Sequence, residues 1–308
     1  MRTGVAVGFF DGVHLGHRAI LADAYAALTF RHHPLAVLAP ARAPRLLMSS
    51  SARLAAIRAT GVPQVVALEF DRTLAALPPE DFAARFLASL AGPGRTVRCG
   101  ADWHFGRGGE GDAALLRRLG YRVEVVPDVV VAGGRVSSTR IRTTLEAGDV
   151  TAANAMLGRT YAVVGTVSTG KGRGRTLGFP TVNVVPDAED GAESVRLPLG
   201  VYVVDFDGRP ALANYGLAPT MGAESWSCPV LEVHIPDVTE FPCETGRRVS
   251  VGLVRFLRPE RRFDSEADLA RQIAADLDAF RKASMITADM KAAGSHLERS
   301  QSAGCPER

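Results

Sequence analysis

From Gly170 to Asn183 the chain reads Gly-Lys-Gly-Arg-Gly-Arg-Thr-Leu-Gly-Phe-Pro-Thr-Val-Asn. Gly170, Gly172 and Gly174 alternate with Lys171, Arg173 and Arg175. Bare glycines let backbone N–H groups close on phosphate oxygens, and the basic side chains add positive charge in the same few residues. Thr181 and Asn183 follow on alternate positions of an extended segment, so both side chains point the same way. A hydroxyl and an amide oxygen beside a phosphate cradle suit Mg²⁺, which takes oxygen ligands and shares them with phosphates. The plainer reading is a flexible basic turn before an edge strand.

A second constellation lies near the N-terminus. Gly8-Phe9-Phe10-Asp11-Gly12-Val13-His14-Leu15-Gly16-His17 follows a short apolar strand and opens a helix. His14 and His17 are three apart and share a face of the first turn. Helix N-termini attract phosphate, and imidazoles placed there can donate hydrogen bonds to a phosphoryl group as its charge rises. Gly12 and Gly16 allow close backbone approach, and with Gly8, Phe10 and Asp11 they form the candidate nucleotide-binding turn. A chance histidine pair is the alternative. A metal site fits less well, because no Glu or third ligand is near in sequence. Further on, Ser137-Ser138-Thr139-Arg140-Ile141-Arg142 puts hydroxyls at a helix start with two arginines just inside. Ser138, Thr139 and Arg142 make a candidate anion-binding end, against an ordinary N-cap with surface arginines.

The elements around these residues fall into two groups. Strand-like Gly4–Phe10, Leu28–Phe30, Gln64–Phe70, Thr96–Gly100 and Arg122–Val126 alternate with helix-like Gly16–Ala27, Ser50–Thr60, Pro79–Leu90 and Asp112–Leu119. Such alternation predicts a parallel sheet covered on both faces, with ligands at the carboxyl ends of its strands. After Gly158, Tyr161–Thr169, Gly200–Phe206, Pro210–Tyr215, Pro229–Ile235 and Arg248–Leu257 are β-rich runs, which predict a small antiparallel barrel. Asp264–Arg281 predicts a closing amphipathic helix, with Leu269, Ile273, Leu277 and Phe280 on one face. Residues 1–157 and 158–282 are read as two domains, and 283–308 as a disordered tail.

Composition narrows the function classes. A chain of 308 residues fits two domains, and a net charge of +3 gives no general case for nucleic acid. No apolar run reaches the length of a bilayer span, and no signal-peptide pattern precedes the first strand. Cys99, Cys228, Cys243 and Cys305 are widely spaced, which fits a reducing cytoplasm. Nothing in the sequence points to a membrane or an obligate protein partner.

Taken in order, these motifs resemble the bacterial bifunctional riboflavin kinase/FMN adenylyltransferase (FAD synthetase) family. The Gly170–Asn183 stretch resembles its riboflavin kinase ATP signature, and the His14–His17 turn with Ser137–Arg142 resembles its nucleotidyltransferase elements. Asp102-Trp103-His104-Phe105-Gly106 resembles the nucleotide-contacting Asn/Asp-x-x-Phe-Gly segment, although Trp103 and Phe105 also suit core packing. The resemblance implies a Rossmann-like adenylyltransferase domain followed by a β-barrel kinase domain. The implied substrates are riboflavin, FMN and ATP, with Mg²⁺. It also implies a catalytic base at Glu232, within Leu231-Glu232-Val233-His234. Asn214-Tyr215-Gly216-Leu217-Ala218-Pro219-Thr220 and Arg258-Pro259-Glu260 resemble further kinase segments.

Two departures stand out. The family's Thr-Phe-Asp-Pro-His-Pro reads here Thr29-Phe30-Arg31-His32-His33-Pro34, which reverses one charge, and the helix between His17 and Thr29 is shorter. Residues 236–243 also depart from the usual acidic loop. A monofunctional riboflavin kinase with a degenerate N-terminal domain, and a non-catalytic flavin- or nucleotide-binding regulator, are the competing expectations.

Overall fold

A computed structural model describes residues 2–92, 94–168, 179–187, 194–217, 229–236, 238, 243–261, 263–265, 267–269 and 271–281. The chain forms two compact units, Met1–Arg159 with Ala188–Leu197, and Thr160–Asp187 with Pro198–Arg308. The 283–308 tail and the Gly170–Arg175 loop lie outside the described residues.

In the first unit the order is β1 Val5–Val7, α1 Leu15–Leu21, β2 Ala26–Phe30, α2 Pro34–Leu38, α3 Ser50–Ala59, β3 Gln64–Leu68, α4 Arg72–Ala75, α5 Pro79–Phe82, β4 Thr96–Cys99, α6 Ala113–Arg118, β5 Arg122–Val125, the hairpin β6 Val130–Val131 and β7 Gly134–Arg135, α7 Ser138–Glu146 and α8 Val150–Leu157. The first five strands make one parallel sheet in the order β3-β2-β1-β4-β5. Val5 and Val7 pack with Leu87 and Leu116 on one face, while Ala6 packs with Leu21 and Ile57 on the other. A strand buried on both faces must be apolar throughout, which is why β1 carries no alternation. Strand order reverses on either side of β1, and that opens a crevice at its carboxyl end.

Helix α1 is shorter than the predicted Gly16–Ala27, and β2 starts at Ala26. Alanines favour helix in isolation, but Ala24, Ala26 and Ala27 are fully buried, and the N–H groups of Tyr25 and Ala26 donate to the carbonyl of Gly4. Central-strand burial overrides propensity here. The predicted Pro79–Leu90 helix begins as α5 and widens to a π-turn at Ala83–Leu87. Helices α2 and α8 were not foreseen, although Asp149 caps α8 and Gly158 closes it at φ 66°.

The second unit is a closed antiparallel barrel, β10-β11-β12-β9-β8-β13. Its strands are β8 Tyr161–Ser168, β9 Val182–Pro186, β10 Gly200–Phe206, β11 Arg209–Leu217, β12 Pro229–His234 and β13 Arg248–Pro259. The sixth strand, β9, is the extended segment carrying Asn183, and it lies between β12 and β8 rather than at an edge. Tyr202, Val204 and Phe206 are at most 1% exposed and alternate with Val201 and Val203, which pack beneath Leu277 and Phe280 of the C-terminal helix. Arg258 holds that helix through a two-pronged pair with Asp276, to which Gln272 also donates.

Candidate active sites

At the mouth of β1 the chain turns sharply. Phe10, Gly12 and Val13 all take positive φ, at 60°, 82° and 39°. That conformation is costly for a β-branched valine, so the surroundings must impose it. They do so with several hydrogen bonds. The Arg159 guanidinium donates to the carbonyls of Gly12 (2.8 Å) and Val13 (3.4 Å). Ser138 Oγ donates to the Asp11 carbonyl at 2.8 Å. A side chain at Gly12 would also strike Leu47, 2.7 Å from the Cβ position.

The histidines follow. His14 caps α1, its Nδ1 accepting from the backbone N–H of His17 at 3.2 Å. The two rings stack with centroids 3.5 Å apart. Gly16 gives the His14 ring room, for a Cβ there would lie 3.3 Å from it. Burial lowers the His14 pKa to about 4, helped by Arg135 and Arg159. Burial and its neighbours His14 and Arg53 hold His17 well below the usual histidine range. Neutral His14 with Nδ1 occupied carries its proton on Nε2, so it is a donor. His17 Nδ1 is buried with no hydrogen-bond partner among the described residues. The Phe10 ring packs edge-on against His17 and is 1% exposed.

Helix α7 brings Ser138 and Arg142 to the same turn. Ser137 caps it, accepting from the Arg140 N–H. Arg140 is occupied with the carbonyls of Val131 and Gly134. Arg142 Nη2 donates to Asp11 Oδ2 at 3.2 Å, and its Nε donates to the Arg45 carbonyl. Asp11 is 4% exposed and also accepts from the Leu47 N–H. Its side chain therefore faces protein donors. Burial raises its pKa, against the pull of Leu47, Arg142 and Arg53. Thr139 is exposed next to Ser138. Asp102 is exposed and accepts from Arg135 at 2.9 Å, while Trp103 stacks on Phe105 at 4.7 Å.

Sequence reading overlooked Arg53. It is fully buried on α3, lies over the Phe9 ring at 3.9 Å, and donates to the carbonyls of Phe9, Phe30 and Arg31. It thus ties together the ends of β1 and β2. The available signal was an arginine four residues before Ile57, on the buried face of the helix. His33 was also passed over as a site residue. It caps α2 by accepting from Leu35, rests against Phe9 at 4.7 Å, and burial lowers its pKa to about 4.

On the barrel, strand register settles which side chains are neighbours. Val182 and Val184 point inward, so Thr181 and Asn183 share the outer face. Asn183 pairs directly with Glu232, and Glu232 with Asn214. Ser168 lies on the other side of Asn183. A polar row therefore crosses four strands, with Glu232 exposed and its two asparagine neighbours half-buried. His234, two residues along from Glu232, bonds through Nδ1 to the Pro180 carbonyl at 2.8 Å, with its ring against Phe179. That contact fastens Phe179-Pro180-Thr181 beside the base candidate. Thr181 and Asn183 supply hard oxygen donors on one face, which fits Mg²⁺ shared with nucleotide phosphates. Among the described residues no group of three or more His, Cys, Asp or Glu side chains converges as a metal site.

The FAD synthetase family model matches residues 1–140, and the riboflavin kinase model matches residues 157–284. The Escherichia coli bifunctional riboflavin kinase/FMN adenylyltransferase is 33% identical over 291 residues, covering 88% of this chain and 90% of that protein. The Pseudomonas fluorescens protein of the same name is 35% identical, covering 89% and 91%. The chain belongs to the bifunctional riboflavin kinase/FMN adenylyltransferase family. A crystal structure described as a macrolide-efflux protein from Streptococcus pneumoniae is similar too, with a TM-score of 0.76 at 28% identity, over 91% of this chain and 94% of that one. No helix among the described residues is long and apolar enough to cross a membrane.

Within this family the reversed charge at Arg31 has a local partner. Arg31 Nε lies 2.8 Å from Glu69 Oε1, just beyond β3. The α/β sheet matched by the FAD synthetase model and the six-stranded barrel matched by the riboflavin kinase model are both present.

Proposed function

We infer that residues 158–282 phosphorylate riboflavin to FMN and that residues 1–157 transfer an adenylyl group from ATP to FMN, giving FAD. The observation that carries the kinase half is the register that sets Glu232 directly beside Asn183 within the riboflavin kinase match. Glu232 takes the proton of the ribityl 5′-hydroxyl as that oxygen attacks the γ-phosphorus, and ADP leaves with the bridging oxygen. Thr181 and Asn183 hold the Mg²⁺, which when bound neutralises phosphate charge. Gly170, Lys171, Gly172, Gly174 and Arg175 cradle the phosphates.

In the second reaction the FMN phosphate attacks the α-phosphorus of ATP and pyrophosphate departs. No protein nucleophile is required, so the turn serves by positioning and charge stabilisation. Neutral His14 donates from Nε2 to a phosphate oxygen, with His17 stacked behind it. Ser138, Thr139 and Arg142 at the start of α7, with the backbone of Gly8–Gly16, bind the remaining phosphate oxygens. Asp102 meets the nucleoside. Both reactions belong in the cytoplasm, where ATP is abundant and cysteines stay reduced.

The test is purified protein with riboflavin, ATP and Mg²⁺, its products separated by chromatography. FAD is expected. FMN alone would remove adenylyl transfer, and no flavin product would remove both reactions.

A further inference from the structure

Asp11 sits in the nucleotide turn, and protein donors enclose its carboxylate. The Leu47 N–H reaches both oxygens, at 3.0 and 3.1 Å, and Arg142 Nη2 reaches Oδ2 at 3.2 Å. The Asp11 side chain is 5% exposed and that of Arg142 14%. The Arg142 fork is held on a second edge as well, since its Nε donates to the Arg45 carbonyl. Arg45 and Leu47 belong to one segment, whose Leu46 pairs with Ser194. Three pieces of chain therefore meet at this carboxylate: the β1–α1 turn, the 45–47 segment and helix α7. An arginine side chain has several rotatable bonds, and fixing them costs rotamer entropy. Here the fold fixes it on two sides.

We propose that Asp11 is a positioning residue for adenylyl transfer: it neither binds the nucleotide nor takes a proton, but holds the Arg142 guanidinium at one angle so that its remaining N–H groups meet a phosphate oxygen. This rests on the adenylyltransferase reading of residues 1–157. It alters the role of Asp11 from phosphate ligand to support for one.

Two measurements test it. In the first, FAD formation from supplied FMN is followed for Asp11→Asn, Arg142→Ala and the double variant. Each single change should lower kcat/KM for ATP by about 100-fold, the effect of misplacing one group by about an ångström. The double variant should be no worse than Arg142→Ala, because Asp11 acts only through Arg142. Arg142→Lys should fall with them, since it keeps the charge but loses the fork, and it leaves Asp11 in place. Riboflavin phosphorylation reports only on the barrel, so an unchanged urea transition of Trp103 fluorescence, in a Trp226→Phe background, reports that the first unit of each variant has folded. Wild-type activity in Asp11→Asn, or a further tenfold loss in the double variant, would overturn the proposal; the latter would mean that Asp11 touches substrate.

In the second, nitrogen NMR of the Arg142 guanidinium should show slowed rotation in the unmodified protein and free rotation in Asp11→Asn. Free rotation in both would overturn the proposal whatever the activities show. If the unmodified protein makes no FAD, the adenylyltransferase reading falls, and the catalytic role given to Asp11 falls with it. The guanidinium signal separates that failure from failure of the Asp11–Arg142 clamp.

Discussion

Asn183 and Glu232 stand directly opposite each other on β9 and β12, on the outer face of the barrel. In an antiparallel pair, directly opposed Cβ atoms are about 5 Å apart. A candidate base and a candidate metal ligand are thus set side by side by backbone register alone. A one-residue slip of β9 would turn Asn183 into the barrel and Val182 outward.

Replacing Glu232 with Gln should lower FMN formation by about 1,000-fold, the scale of general-base catalysis. FAD formation from supplied FMN should persist. Product chromatography on the two substrates checks this, and FMN formation near the wild-type rate would remove Glu232 as the base.

Changing His14 and His17 together to Ala should do the reverse. FAD formation should fall by about 100-fold or more, on the scale of lost phosphoryl-charge stabilisation, while FMN formation stays. Loss of kinase activity in this variant would contradict two separate sites.

Stability should depend on pH through His14. Its pKa is about 4 in the fold and 6.5 in its absence. Between those values the unfolded chain holds the extra proton, so stability is full above about pH 6.5 and falls as pH drops towards 4. The shift corresponds to about 3 kcal/mol at most. The cationic neighbours Arg135 and Arg159 contribute to it, and His33 shifts in the same direction. Urea unfolding followed by Trp103 fluorescence, in a Trp226→Phe background, should show this slope. His14→Gln should reduce the slope, leaving the part that His17 and His33 contribute in the same direction.

The Arg31–Glu69 pair is more than half exposed on both sides, so its loss should cost less than about 1 kcal/mol. Arg31→Asp should cost more than Arg31→Ala, because it faces Glu69 with a like charge. Adding Glu69→Arg should recover the difference in denaturant titrations. Equal stability of the Asp and Ala variants would show that the pair does not interact.

Asp276→Ala should destabilise the barrel by about 3 kcal/mol, since it leaves Arg258 largely buried without its carboxylate. Hydrogen exchange should accelerate first in residues 271–281. Uniform acceleration across the barrel would mean that the helix does not open on its own.

The order of strands and helices was legible wherever one pattern dominated, as in the continuous apolar runs of β1 and β10. Boundaries failed where two tendencies competed, as at Ala24–Ala27, where helix-favouring alanines are claimed by the centre of a sheet. Strand β9 was legible as an extended segment around Asn183, but its place inside the barrel was not, because its five residues lack the turn spacing of the other strands. Of the site, the side chains with distinctive chemistry could be read directly. Their supports could not. Arg53, Arg159 and Leu47 act on the turn from sequence distances of 36 or more, through carbonyl and amide contacts that only the folded backbone brings within reach.

Strand β13 pairs with both β8 and β10, so this single strand closes the barrel. A chain cut short before Arg248 would keep five strands but expose two raw edges, each a row of unsatisfied N–H and C=O groups. Such a fragment would still carry Thr181, Asn183 and Glu232. It should precipitate by edge-to-edge pairing rather than accumulate as a weakened kinase, so solubility in the cell would decide the fate of late truncations before catalysis does.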